Sequence, residues 1–520
     1  MLRVFQTDIA DPDQFVVTLE LVPGKESTGR SVDTVMGIAK DSFSDGRVSA
    51  VSITDNPGGN PSLSPDVIGH EIFKVGMDVI VHFTCRDLNR VGMESRALQL
   101  AMMGMKNLLC LTGDYTGKGF GGQGAPVFDL DSVNLQLMLG QLNTRLQAAG
   151  DPDGFVTGSA VSPFKRTEPE TFAQYAKLCR KVASGAQFII TQLGYDARKF
   201  AELIHIMRHV GLDAPVLGSI YVLTPRAARA MNRGYVPGAV VSNTLLREIE
   251  TEWQDTARGR RQAVERAARL GAILKGLGYR GMHLGGIHHD FELVGQVLDR
   301  FQEIQAEWEA FVPQFHYPEK DGFYVFPENS TAAQGATGFH HRHRLGFPEK
   351  LRYHMLKFVH DQFFSFDAAG AAFFTRLSAW ADTLPGARKT IHLLEGGIKK
   401  ILLDCRQCGD CGIQHVAFLC PESQCPKHIR NGACGGSRDG RCEVYPDRYC
   451  VWVRAYRRLA STGEVDKMVV GCVPPRMWEL NQTPSWINFH LKRDHQSVST
   501  ELTQRFSREA CRLAEGRLTD

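Results

Sequence analysis

The chain is 520 residues long, with 43% apolar and 22% charged residues, ordinary globular values that exclude a wholly disordered polypeptide. Lys+Arg number 60 against 57 Asp+Glu, a net charge of +3, so no electrostatic footprint points to nucleic acid or to a membrane surface. No apolar run approaches the roughly 20 residues that span a bilayer, and the start Thr7-Asp8-Ile9-Ala10-Asp11 does not read as a signal peptide, which makes the cytoplasm the expected compartment.

From about residue 15 to 312 short apolar runs alternate with amphipathic stretches. The predicted strands are Phe15–Val22, Ala50–Thr54, Val79–Thr84, Leu108–Thr112, Phe155–Val161, Phe188–Gln192, Val216–Tyr221 and Gly281–Ile287. They are short and rich in Val, Ile, Phe or Leu, as buried parallel strands are. The predicted helices are Ser31–Phe43, Pro65–Lys74, Met93–Met103, Ser132–Leu146, Pro169–Val182, Lys199–Val210, Ala257–Leu277 and Leu293–Phe311. Eight such units fit a (β/α)8 TIM barrel of the α/β class, with a doubly wound open sheet as the runner-up.

Pro313, Pro318 and Pro327 with Gly322 and Gly335 then break the rhythm. Helical patterns return at Lys350–Phe363 and Ala368–Leu384, and a short helix is expected at Thr500–Leu513. Cysteine usage separates the two halves. Of 13 cysteines, Cys85, Cys110 and Cys179 precede residue 400, nine lie from Cys405 to Cys472, and Cys511 stands alone. In a reducing compartment such density reads as a metal site rather than a disulfide framework. The expected organisation is a barrel over 1–312, a connector over 313–390, a small cysteine-rich metal- or cluster-binding α+β domain over 391–475, and a tail over 476–520.

In a barrel the chemistry collects where strands end. Those ends carry Glu20, Thr54-Asp55, His82-Phe83-Thr84, Thr112-Gly113-Asp114, Thr191-Gln192 and His288-His289. So many polar ends on one rim need partners, which makes the rim a candidate site. Glu20, between Leu19 and Leu21, is expected to have its pKa raised by desolvation and so to donate a proton near neutral pH. Gly119-Phe-Gly121-Gly122-Gln-Gly124 fits a dinucleotide-binding pattern but runs into Ala125-Pro126, with no helix to hold a pyrophosphate, and is expected to be a loop. Phe339-His340-His341-Arg342-His343 is expected to be a solvated, weakly basic loop.

The series Glu20, Thr54, His82-Phe-Thr-Cys85, Leu111-Thr-Gly-Asp114, Arg180-Lys181-Val-Ala-Ser-Gly-Ala and Ile190-Thr-Gln192 resembles the methylenetetrahydrofolate reductase family over residues 15–300. The resemblance implies a flavin-containing barrel that exchanges hydride with the one-carbon unit of tetrahydrofolate. It implies that Glu20 protonates folate N10, that Asp114 lies near both flavin and pterin, and that Gln192 holds the pterin. It further implies Thr54, His82, Thr84, Asp114 and Lys181 as flavin contacts, Lys181 at a phosphate, with FAD before FMN and NAD(P)H as a possible donor. Three positions depart from the family: Thr112 replaces an arginine that contacts flavin, Gln174 replaces an acid, and His288-His289 replaces an arginine at the folate tail.

Cys405-x2-Cys408-x2-Cys411 followed by Cys420-Pro421 and Cys425-Pro426 has cluster-binding spacing, and four thiolates suit either an iron–sulfur cluster or zinc. The first ligands expected are Cys405, Cys408, Cys411 and one of Cys420 or Cys425, with Cys434 and Cys442 as further ligands. The runs Cys405–Gly412 and Cys425-Pro-Lys to Arg430-Asn-Gly-Ala-Cys-Gly-Gly436 resemble the cysteine-rich domain that accompanies some methylenetetrahydrofolate reductases. That resemblance implies [4Fe–4S] clusters feeding the flavin and an electron-donor protein or subunit; a homo-oligomer is also expected. The alternative reading is a non-redox folate-binding or methyl-transfer partner with a structural zinc tail.

Overall fold

Each apolar run becomes a strand because its residues alternate between the barrel interior and the surrounding helices. The computed structural model describes residues 4–151, 153–326, 338–341, 343–368 and 370–497. Its strands are β1 (Val16–Leu21), β2 (Ala50–Ile53), β3 (Val79–Thr84), β4 (Asn107–Leu111), β5 (Lys118–Gly119), β6 (Gly122–Gln123), β7 (Val156–Val161), β8 (Phe188–Thr191), β9 (Val216–Tyr221) and β10 (Gly281–Gly285). Eight close into a barrel in the order β1-β2-β3-β4-β7-β8-β9-β10, with β10 parallel to β1. Ring closure decides for the barrel over the open sheet. The glycine-rich stretch Gly119–Gly124 forms the small exposed hairpin β5–β6, and no helix opens on it.

The expected strands match to within two residues. Helices Arg30–Asp45, Pro65–Lys74, Arg90–Met102, Ser132–Ala148, Glu168–Ala183, Ala197–His209, Thr256–Leu277 and Glu292–Ile304 surround the barrel. The expected long helix to Phe311 breaks into 3-10 turns and a short helix after Ile304. Val4–Ala10, Pro225–Asn232 and Asn243–Glu252 are helices that periodicity did not indicate. The first closes the bottom of the barrel. Its Phe5 and Ile9 pack on Val16, Ala50, Ile80, Leu109, Phe188 and Leu217, with the Phe5 and Phe188 rings edge to face at 5.1 Å. The lower interior is therefore largely apolar and filled; at its foot Asn107 donates to Asp78 at 2.9 Å, and Asp78 accepts the Phe5 amide at 3.1 Å.

Beyond the barrel, helices Phe347–Phe363, Ala371–Thr383 and Pro385–Leu403 lead into the cysteine segment; the last runs unbroken through residue 390. The segment is built from short helices, 3-10 turns and two isolated bridges, Arg438–Arg441 and Arg441–Tyr449. Among the described residues it contains no strand, so the expected β half of an α+β domain is absent. Gly and Cys spacing, not ladder pairing, shapes this stretch. The expected helix at Thr500–Leu513 lies outside the described residues. Among the described residues no helix is long and apolar enough to cross a membrane.

The segment does not stand apart from the barrel. Phe172 of the barrel packs against Tyr456 at 5.0 Å within one continuous apolar core. The histidine run takes part in this docking, which corrects the expectation of a solvated loop. The His341 amide donates to Glu168 at 2.9 Å, its ring Nδ1 meets the Tyr456 hydroxyl at 2.8 Å, and His343 lies 3.7 Å from Glu168. His340 alone of the three is exposed. Burial pushes the Glu168 carboxyl up, but His343, the His341 amide and Tyr456 together hold it down at about 2.

Candidate active site

Glu20, Thr54, His82, Thr84, Asp114, Lys181 and Gln192 line one cavity of about 330 Å³ at the carboxyl ends of the strands. Period-2 geometry explains the convergence: Glu20 points inward on β1 as Val16 and Thr18 do, and His82 on β3 as Ile80 does. The volume is at the low end of the roughly 300–1,000 Å³ typical of small-molecule sites.

Glu20 does not behave as its apolar neighbours suggest. Burial pushes its carboxyl up, but His283 beside it, followed by the charges of His82 and His288, outweighs burial and holds the carboxyl below its ordinary value. The expectation of a raised pKa is therefore corrected. His283 Nε2 lies 3.9 Å from Glu20 Oε2, and its Nδ1 is anchored 2.7 Å from the Thr18 hydroxyl. The strand pairing puts Thr18 opposite His283, so barrel closure creates this contact. In the sequence His283 reads only as a strand residue between Met282 and Leu284.

Around this pair the rim has two kinds of polar group. Some are committed. Thr84 donates to Asp55 at 2.9 Å, and Asp114 accepts the Gly58 amide at 3.0 Å. The Gln192 side chain donates to the Pro237 carbonyl at 3.0 Å and accepts from the Leu193 amide at 2.8 Å, which fixes its orientation. Others are orphaned: Thr54 Oγ1, His82 Nε2 and Ser162 Oγ are buried without a partner among the described residues and face the same cavity. Buried polar atoms without partners mark a place that a polar ligand completes. A flavin ring with its carbonyls and nitrogens suits that donor and acceptor set.

The roof of the cavity comes from the cysteine segment. Lys165 donates to the carbonyls of Gly435 and Ser437, both at 2.6 Å, Lys177 donates to Gly432 O at 3.3 Å, and Gln174 to Cys434 O at 2.8 Å. Gly436 is glycine because the Glu443 carboxylate lies where a Cβ would stand. Lys181 donates to Ala160 O at 2.5 Å. Burial, helped by the charge of Lys177, pulls the Lys181 ammonium down to about 7. Lys427, Cys434, Gly435, Gly436 and Glu443 complete the cavity wall.

The cysteines divide into two quartets. Cys405, Cys408, Cys411 and Cys420 surround one small pocket, with Glu395 and Lys399 beside them. Cys425, Cys434, Cys442 and Cys450 surround another. Electrostatic coupling follows the same division. Burial pushes the Cys420 thiol up to about 11, with Cys411 and Cys405 acting the same way; burial pushes Cys425 up to about 12, with Cys434 and Cys442. Between the two candidates for the fourth place, the first pocket takes Cys420. Cys450, which spacing did not single out, completes the second. Cys472 is in neither and packs on Val133. The donor sets fit soft four-thiolate ligation. A single zinc with Zn–S near 2.3 Å would hold its sulfurs about 3.8 Å apart. Among the described residues no three cysteine sulfurs gather within 4.8 Å, so the quartets are more open than that.

Comparison with known proteins agrees with this layout. The family model described as "Methylenetetrahydrofolate reductase" matches residues 6–301, and "Methylene-tetrahydrofolate reductase C terminal" matches 384–479. The chain belongs to the methylenetetrahydrofolate reductase family. Among curated members, "Probable methylenetetrahydrofolate reductase (NADPH)" of Caenorhabditis elegans is 25% identical over 146 residues, 28% of this chain and 20% of the relative. "Methylenetetrahydrofolate reductase 1" of Schizosaccharomyces pombe is 24% identical over 211 residues, 40% of this chain and 33% of the relative. The matched regions thus span a third or less of these relatives. A Clostridium thermocellum protein whose structure holds two copies of 5-methyl-5,6,7,8-tetrahydrofolic acid is similar at 9% identity and a TM-score of 0.40, over 58% of this chain and 99% of that one. That likeness is too distant to bear on function.

Proposed function

We propose that the protein interconverts 5,10-methylenetetrahydrofolate and 5-methyltetrahydrofolate with a flavin in the barrel and two four-iron clusters in the cysteine segment. The observation that carries the reading is the convergence of Glu20, Asp114 and Gln192, with Thr54, His82 and Lys181, on one cavity in a chain of this family. When bound, the flavin supplies hydride exchange with the one-carbon unit, and the clusters supply single electrons.

The chain's own residues do the rest. Glu20 and His283 act as a pair that holds a proton against folate N10. A carboxyl held low by a histidine is a poor acid alone; with His283 Nε2 behind it, the pair can store and deliver the proton. Gln192, fixed at both ends of its amide, presents a rigid edge to the pterin. Thr54 and His82 offer their unpartnered atoms to the ring in the cavity, and Lys181 its ammonium to a phosphate. The small cavity, and the loop seated on Gln174 and Lys177, support FMN over FAD.

Cys434 lines both the barrel cavity and the second quartet's pocket, whereas none of the first quartet lines the cavity. This supports a second quartet placed against the barrel cavity and a first quartet set back from it; clusters held by these residues would supply single electrons. The Cys405-x2-Cys408-x2-Cys411 spacing with a later Cys-Pro supports clusters over zinc. The test is anaerobic purification with flavin reconstitution, iron analysis, and oxidation of 5-methyltetrahydrofolate by an artificial acceptor. Glu20→Gln should keep flavin and lose folate turnover; a variant with full turnover would remove Glu20 from the mechanism.

A further inference from the structure

We infer that Lys427, contributed by the cysteine segment, is a binding residue of the barrel cavity that brings a cation to the end of β4 at Thr112-Gly113-Asp114 and holds the pyrimidine edge of the flavin. The inference rests on the flavin reading above.

The end of β4 has no cation of its own. Thr112 turns its hydroxyl to Ser132, 3.3 Å away. Gly113, at φ +88°, exposes its carbonyl, and a Cβ there would stand 3.1 Å from the Thr84 Cβ. Into this gap comes the Lys427 side chain, only 3% exposed. Its Nζ donates to Gly113 O at 2.7 Å and pairs with Glu443, and both side chains line the cavity with Asp114. An ammonium has three N–H donors. Two are engaged by these contacts, the Phe128 ring stands 5.8 Å off, and one N–H remains for a ligand.

A purely structural pin would look different. Lys165, also buried, spends its donors on the backbone carbonyls of Gly435 and Ser437 and does not line the cavity. Docking is already secured by Lys165, Lys177 and Gln174. A buried ion pair is weak evidence for stability, because desolvation offsets the attraction. An ammonium beside a developing negative charge, in contrast, stabilises the charged form in a low-dielectric site. The ligand chemistry that fits is a planar ring edge with carbonyl and nitrogen acceptors that gains negative charge on reduction.

The experiment compares full-length, cluster-loaded wild type with Lys427→Met, Lys427→Arg, Glu443→Gln and the docking control Lys165→Met. The readouts are FMN affinity in both oxidation states and the flavin midpoint potential against reference dyes. In Lys427→Met, reduced FMN should lose about tenfold more affinity than oxidised FMN, which lowers a two-electron potential by about 30 mV. Lys427→Arg should stay near wild type, and Glu443→Gln should raise the potential by freeing the cation. Lys165→Met should lower thermal stability and leave the potential unchanged. An unchanged potential in Lys427→Met with iron content intact overturns the inference and spares the flavin reading. If Lys427→Met does not fold, an unmoved potential in Glu443→Gln overturns it. A wild type that binds neither FMN nor FAD after reconstitution overturns both.

Discussion

Asp131 holds Asn431 across 300 residues of sequence: one carboxylate oxygen accepts the Asn431 side-chain amide at 3.0 Å and the Asn431 backbone amide at 3.0 Å. The other oxygen caps helix Ser132–Ala148 through the amides of Val133 and Asn134. Asn431 also donates to Val473 O at 2.9 Å. One buried carboxylate thus ties the helix after β4 to the roof of the cavity. Asp131→Ala removes a cap and the buried contacts at once and should cost about 2–4 kcal/mol. Urea unfolding measures it; a loss under about 0.5 kcal/mol would show that the tie is unimportant.

Removing His283 should act on Glu20 at a distance. In His283→Gln the upward push of burial on the Glu20 carboxyl loses its main opponent, so the Glu20 titration should move to higher pH. Infrared titration of the carboxyl band, with Glu20→Gln as the blank, follows it. Folate turnover of Glu20→Gln should fall by about 10²–10⁴-fold. A Glu20 band that stays in place without His283 would disprove the pairing.

His82 should make the apoprotein sensitive to acid. Burial pulls its imidazole from 6.5 down to about 4, against the charge of Glu20. With the folded value depressed, the unfolded chain takes the proton first. Stability from this group is complete above about pH 6.5, falls as pH drops toward 4, and levels off below. The shift corresponds to about 3 kcal/mol. His82→Gln should therefore flatten the urea midpoint between pH 6.5 and 4.5, and equal slopes in both proteins would contradict it.

The two quartets should load independently. Cys408→Ser should remove about four irons and leave the second cluster, and Cys450→Ser the converse. Cys472→Ser should keep all the iron. Iron and sulfide analysis with electron paramagnetic resonance distinguishes the cases. Loss of all iron in Cys450→Ser alone would merge the quartets into one assembly.

Much of this molecule is legible in the linear chain. The short apolar runs at Val79–Thr84 and Val216–Tyr221 become strands with the expected bounds, because burial between a filled interior and a helix layer favours apolar residues on both faces. The rim residues Glu20, Thr54, His82 and Gln192 are legible too: each lies at or just past the end of a strand on its inward-facing parity and so faces the mouth. Less legible is anything set by contact between distant segments. Nothing near Cys425 signals that Lys427 reaches Gly113, and nothing near Phe339 signals that His341 packs on Tyr456.

The linear chain by itself determined the eightfold alternation, the inward-pointing polar ends and the supply of nine clustered thiols, since these depend on local periodicity and spacing. Only the tertiary structure decided that His283 reverses the expected shift of Glu20, that the thiols split as Cys405–Cys420 and Cys425–Cys450, and that the cysteine segment roofs the barrel. The physical reason is that a local pattern determines which way a side chain points, whereas its charge state and partners depend on whatever the rest of the chain packs against it.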